Sequence, residues 1–192
     1  YQTTKSNYPM IRFLIACCLM LLLTACGGEI QPKPKAFLRL DYPEATYDTL
    51  RAAVPFSFEK NTHAKESPQA GYNLNLDYPT MKATIYITYK PVADNLVKLL
   101  KDAQNLTYEH TIKATNIIEQ PYIDPQHKVY GMFYEVDGNA ASQSQFYITD
   151  STNHFLTGSI YFRVRPNYDS IYPAAMYLKK DIRHIMETTH WK

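Results

Sequence analysis

Leu23-Thr24-Ala25-Cys26 constrains this chain more than any other stretch of its 192 residues. It closes an apolar run, Phe13 to Leu23, that follows Arg12. A basic start, a short apolar centre and small residues before a cut describe an export signal that the mature protein lacks. Cys17, Cys18 and Cys26 are the only cysteines, and all lie in that segment or at its end. The rest of the chain must therefore fold outside the cytoplasm without a disulfide. An ordinary apolar core has to suffice, and a chain of this size buries about 70% of its unfolded surface.

The residue after the cut is itself a cysteine, which resembles a bacterial lipoprotein signal, where the thiol takes a diacylglycerol before cleavage. Leu14-Ile15-Ala16-Cys17 has similar chemistry, but a cut there leaves almost no apolar core upstream and strands Leu19 to Leu23 in the product. A membrane span needs about 20 apolar residues, and this run has about 11. Gly27-Gly28 and Gln31-Pro32-Lys33-Pro34-Lys35 then read as a flexible and a stiff spacer. The expected organisation is a signal peptide over 1–25, a lipidated N-terminus and linker over 26–36 with Cys26 as the lipid attachment site, and a globular domain over 37–192. Residues 1–9 are polar and precede Met10-Ile11-Arg12, a compact signal start, so they read as upstream of the native beginning.

Lys5 and Arg12 fall in the removed part, leaving 18 basic and 18 acidic residues. That balance argues against nucleic acid or an anionic lipid surface as partner. The membrane is reached through covalent lipid, which anchors stably when two or more chains are attached.

Alternation and helical periodicity outline the domain. Strands are expected at Phe37-Leu38-Arg39-Leu40, Val54 to Glu59, Tyr72 to Leu76 and Met81 to Tyr89, with a polar loop from Lys60 to Gly71. Met81, Ala83, Ile85, Ile87 and Tyr89 share one face of the last strand. After Pro91, Val92, Leu96, Leu99, Leu100, Ala103 and Leu106 form one helical stripe. A three-strand meander comes next over Lys128–Val136, Ser142–Thr149 and His154–Val164, with Asp137-Gly138 marking its first turn. A last helix begins near Asp169-Ser170, tolerates Pro173 in its first turn, and buries Ala175, Leu178, Ile182, Ile185 and Met186. The fold class is α+β, a single domain with an antiparallel sheet packed by two main helices.

Chemistry is sparse. The six histidines lack the usual zinc spacings, and His184 and His190 do not share a helix face. Asp150, Ser151 and His154 have nucleophile-set composition but sit in or beside one turn, without a Gly-x-Ser-x-Gly elbow. Asp150 and Ser151 are expected to shape that turn. Asp124 with Asp137 or Asp150 lacks EF-hand spacing for calcium. No cofactor, metal site, catalytic residue or small-molecule substrate is indicated. Tyrosine is abundant, with 17 in the chain. Tyr86, Tyr130, Tyr134, Tyr147 and Tyr161 lie in expected strands, where an exposed aromatic face could stack on sugars or receive a protein. The plainer reading is that tyrosine suits a half-buried pleated surface.

Several segments carry a family resemblance: Pro32-Lys33-Pro34-Lys35, Pro55-Phe56-Ser57-Phe58, Thr88-Tyr89-Lys90-Pro91, His110-Thr111-Ile112-Lys113-Ala114, Val129-Tyr130-Gly131 and Gly138-Asn139-Ala140-Ala141-Ser142. Gln145-Phe146-Tyr147-Ile148-Thr149-Asp150-Ser151 with His154-Phe155-Leu156, and Lys180 to Thr188 with Trp191-Lys192, complete the set. In order, they resemble the GldD family of gliding-motility lipoproteins of the Bacteroidetes. The resemblance implies a role in gliding within an envelope apparatus tied to type IX secretion; the first reading of the chain is a non-enzymatic accessory subunit, with other machinery proteins as partners. It implies a lipid-anchored place in the cell envelope and carries over a residue role only for Cys26. The alternative is a module that binds peptidoglycan or surface polysaccharide through the tyrosines. Asp150-Ser151-Thr152 also resembles the O-glycosylation sequon of that phylum, making Asp150 and Ser151 an interaction or O-glycan turn.

Overall fold

The computed structural model describes residues 12–13, 41–109, 114–164 and 167–192. Cys26, the linker over 26–36 and the strand expected at Phe37-Leu38-Arg39-Leu40 lie outside the described residues. Eleven strands and two long helices are found among them. The first three strands are β1 (Tyr47–Thr49), β2 (Phe56–Ser57) and β3 (Glu59–Asn61). β4 (Lys65–Pro68), β5 (Leu74–Tyr78) and β6 (Ala83–Pro91) lead to helix α1 (Leu96–Glu109). β7 (Ala114–Asp124), β8 (Val129–Gly138), β9 (Ser144–Thr149) and β10 (His154–Phe162) lead to helix α2 (Tyr168–Glu187), and β11 (His190–Trp191) ends the chain.

Seven strands make one antiparallel sheet in the order β4-β5-β6-β10-β9-β8-β7. The chain leaves β6 mid-sheet and re-enters at β7 on the far edge, so it must cross a face, and α1 makes that crossing. Its stripe packs on Tyr134, Tyr147 and Phe155, with Val92, Leu96, Leu100 and Ala103 beside the buried Leu99. α2 covers the other face. There Leu178, Ile182, Ile185 and Met186 meet Leu74, Leu76, Ile85, Ile87, Phe133, Phe146, Ile148, Leu156 and Ile160 in the larger core. Fully burying one such side chain is worth about 1.5–3 kcal/mol, so this face contributes most of the apolar stabilisation. The expected alternation of β6 holds, with Ala83, Ile85 and Ile87 in that core and Lys82, Tyr86 and Lys90 exposed. Among the described residues no helix is long and apolar enough to cross a membrane.

Local expectations are corrected in five places. Val54 to Glu59 is not one strand. β2 pairs with β11 and β3 with β1, and at the start of β3 the Glu59 N–H donates to Thr188 Oγ1 at 3.0 Å. The segment from Lys60 to Gly71 contains β4, a polar edge strand whose pairing with β5 comes from the backbone. β7 makes the meander four-stranded. Its mixed burial and Pro121 hid it, and an edge strand tolerates both. α1 starts at Leu96, after a turn in which Asn95 Oδ1 accepts from the Ala93 N–H at 2.9 Å. α2 starts at Tyr168, which puts Pro173 in the second turn, where it has no N–H for the carbonyl four residues back. The Asn139 side chain accepts from the Tyr168 N–H at 2.9 Å, so a loop from across the domain caps this helix.

Candidate functional site

Register decides where the tyrosines point. Tyr86 opposes Ser159, Tyr161 opposes Thr84, Tyr147 opposes Met132 and Thr157, Tyr134 opposes Gln145, and Tyr130 opposes Thr149. All five therefore lie on one face of the sheet, the face that α1 crosses. The helix buries Tyr134 and Tyr147, and burial raises both phenols above their ordinary range. Tyr86 stays 39% exposed and meets Tyr161 edge-on, ring centroids 5.7 Å apart. Tyr134 and Tyr147 are thus buried outright, Tyr130 and Tyr161 are half-buried as in the plainer sequence reading, and Tyr86 is left exposed.

Beside this pair a cleft of about 160 Å³ opens between α1 and the sheet. Leu99, Ala103 and Leu106 form its roof and Phe155 its apolar wall. Thr88 and Thr157 line its floor, and Lys90 and Asp102 complete it. A second recess, bounded in part by Gln145 and Ser159, shares Ala103, Leu106 and Thr157 with the cleft.

The turn at Asp150 and Ser151 is built as expected from side chain–backbone bonds. Asp150 Oδ1 accepts from the N–H groups of Thr152 (3.0 Å), Asn153 (2.8 Å) and His154 (2.8 Å). Burial alone would raise the Asp150 carboxyl, but these donors hold it below the usual range. Ser151 is exposed with φ of 69°, and its N–H donates to Thr149 Oγ1. His154 Nδ1 is 2.9 Å from the Tyr89 hydroxyl, and its ring stacks on Trp191. Asp150, Ser151 and His154 are neighbours but form no relay.

Three other histidines, His127, His184 and His190, also have structural partners. His184 stacks on Tyr47 and pairs with Glu59 at 2.8 Å. His127 pairs with Asp124 at 2.6 Å and packs edge-on against His190. The aspartates weighed for calcium are engaged separately: Asp124 by His127, Asp137 by the Tyr168 hydroxyl, Asp150 by its own turn. No cluster of three or more metal-ligating side chains occurs among the described residues.

One polar site escaped the sequence reading. Asp181 is 1% exposed on the inner face of α2. Its carboxylate accepts from the Tyr47 hydroxyl at 2.8 Å and from Asn61 Nδ2 at 2.9 Å, and Asn61 Nδ2 also reaches the Tyr177 hydroxyl. The Tyr78 hydroxyl is drawn to the same carboxylate but falls outside hydrogen-bond geometry. The cluster ties α2 to β1 and β3. The signal was available: Asp181 lies three residues after Leu178 and four before Ile185, inside the apolar stripe.

Burial raises the Asp181 carboxyl above its ordinary value, and the donors only partly offset this. Folding therefore favours the protonated form. The resulting stability is fully present below the unfolded value, about 3.9, and is lost as pH rises through the higher folded value. Asp181→Asn, which cannot titrate, should lack this decline, so wild type should lose stability relative to it as pH rises from about 4. Parallel pH curves in urea unfolding would refute that. Asp181→Ala should cost about 2–6 kcal/mol, because the Tyr47 and Asn61 donors each lose a partner at about 1–3 kcal/mol.

Fold and site define a disulfide-free α+β domain with a half-covered aromatic sheet face. The chain belongs to the GldD family: the model for "Gliding motility lipoprotein GldD" matches residues 27–191. It is thus a lipoprotein of gliding motility and a component of the cell envelope. No curated protein and no solved structure matches it.

Proposed function

We propose that this protein is a non-enzymatic subunit of the gliding apparatus. The signal over 1–25 is removed, Cys26 carries the lipid, and residues 26–36 space the domain from a membrane outside the cytoplasm. The domain holds or stabilises envelope machinery tied to type IX secretion. The observation that supports this reading is the engagement of three histidines and of the Asp150 carboxylate in structural contacts. His127, His154 and His184 each have an aromatic or acidic partner, and the Asp150 carboxylate is taken up by its own turn.

The turn at Asp150 and Ser151 supplies the test. On this reading Ser151→Ala leaves abundance unchanged and gliding at most partly reduced, because the Ser151 side chain makes no hydrogen bond among the described residues. Immunoblotting and colony spreading would measure the two together. A stable, abundant variant with no gliding would overturn the reading and make the turn a functional site, catalytic or glycosylated. A second reading, a glycan-binding module, is favoured by the exposed Tyr86, edge-on to the half-buried Tyr161, on the sheet face that also floors the cleft.

A further inference from the structure

The cleft beneath α1 has an unusual inner end. Gln145 is 4% exposed, and its Nε2 has no hydrogen-bond partner among the described residues. Its Oε1 has one distant donor, Thr107 Oγ1 at 3.5 Å. A buried amide N–H that lacks an acceptor costs about 1–3 kcal/mol, so it calls for an explanation. Gln145 bounds the recess that shares Ala103, Leu106 and Thr157 with the cleft. The recess has about 10 Å³, room for one small oxygen-bearing group. The cleft outside it has about 160 Å³, on the scale of one pyranose ring.

We propose that this cleft is a binding site for an N-acetylated amino sugar, with the acetamido group innermost. The acetamido oxygen accepts from Gln145 Nε2. Its methyl rests among Leu99, Ala103 and Phe155, the apolar part of the lining. Ring hydroxyls meet Thr88 and Thr157, which oppose each other across β6 and β10. Lys90 and Asp102 supply a donor and an acceptor. Lys90 makes no ion pair among the described residues, while Asp102 Oδ2 is held by Lys98 at 2.7 Å. The same sheet face continues from Thr88 to Tyr86 and from Thr157 through Ser159 to Tyr161. A following sugar in a chain would therefore lie against the exposed Tyr86 ring and the half-buried Tyr161, and aromatic rings stack on pyranose faces.

A membrane-bound acyl chain would suit the apolar walls but would leave Gln145, Thr88, Thr157 and Lys90 facing hydrocarbon, which is unfavourable. The sugar supplies both an apolar methyl and a ring of hydroxyls. This inference is independent of the anchor at Cys26.

The test is titration of the full lipidated chain in detergent with two matched probes, tri-N-acetylchitotriose and cellotriose. They share a β-1,4-linked glucose backbone and differ in the acetamido groups. The N-acetylated trimer should bind at least about tenfold more tightly, since a buried donor left unpaired by cellotriose costs about that factor. Gln145→Leu should bring the two probes close to equal. Leu106→Trp changes a residue 40% exposed at the rim, so it should block the cleft and abolish binding with the thermal midpoint unchanged. Equal binding of both probes, binding of neither, or binding of the N-acetylated trimer unaffected by Leu106→Trp would each overturn the proposal.

Discussion

Gly131→Ala is expected to leave almost no folded protein. A Cβ at Gly131 would stand 1.9 Å from the Tyr147 carbonyl oxygen and 2.9 Å from both Cα and Cγ2 of Ile148. Tyr147 and Ile148 lie in β9, which is hydrogen-bonded to β8 on one side and β10 on the other. That backbone cannot retreat without opening a ladder. Gly158 makes the informative comparison. Its added Cβ would meet the Phe146 ring at 2.2 Å, a side chain rather than a backbone. Overpacking of that kind costs about 1–3 kcal/mol, within a typical stability of about 5–15 kcal/mol. Gly158→Ala should therefore fold with a lowered denaturation midpoint, while Gly131→Ala should accumulate as insoluble or unfolded chain by circular dichroism. A soluble Gly131→Ala protein with the wild-type midpoint would contradict the β8–β9 register.

The sequence revealed elements that bury a face. Ile85 and Ile87 in β6, Leu156 and Ile160 in β10, and Leu178, Ile182 and Ile185 in α2 all keep a clean period of two or 3.6 and reach the core as expected. β4 and β7 were not legible, since an edge strand is fixed by its neighbour's backbone and needs no apolar pattern. Asp181 is the opposite case: a charge inside an apolar stripe, readable as a buried partnered carboxylate, though its partners Tyr47 and Asn61 come from a distant ribbon.

The tyrosine face was half legible. Alternation suggested that several tyrosines share a side, but which of them α1 covers depends on where the chain crosses the sheet. The inner amide of Gln145 had no sequence signal, because its missing partner is a property of packing. The turn at Asp150 and Ser151 was readable from local chemistry alone, since an aspartate that accepts from the next few N–H groups needs no tertiary context.

The largest effect on cells should come from Cys26→Ser. On the proposed anchoring, the hydroxyl cannot accept the lipid assigned to the thiol, while the cysteine-free domain beyond it has no need of residue 26 for its core. The variant should be abundant on immunoblots, should fail to incorporate a fatty-acid analogue, and should leave cells unable to glide. Labelling and colony spreading, measured together in cells whose own copy is replaced by the variant, test the claim that a lipid-anchored domain serves gliding. Loss of both is the expected result. Label in Cys26→Ser at the wild-type level, or full gliding by cells whose variant carries no label, would contradict it.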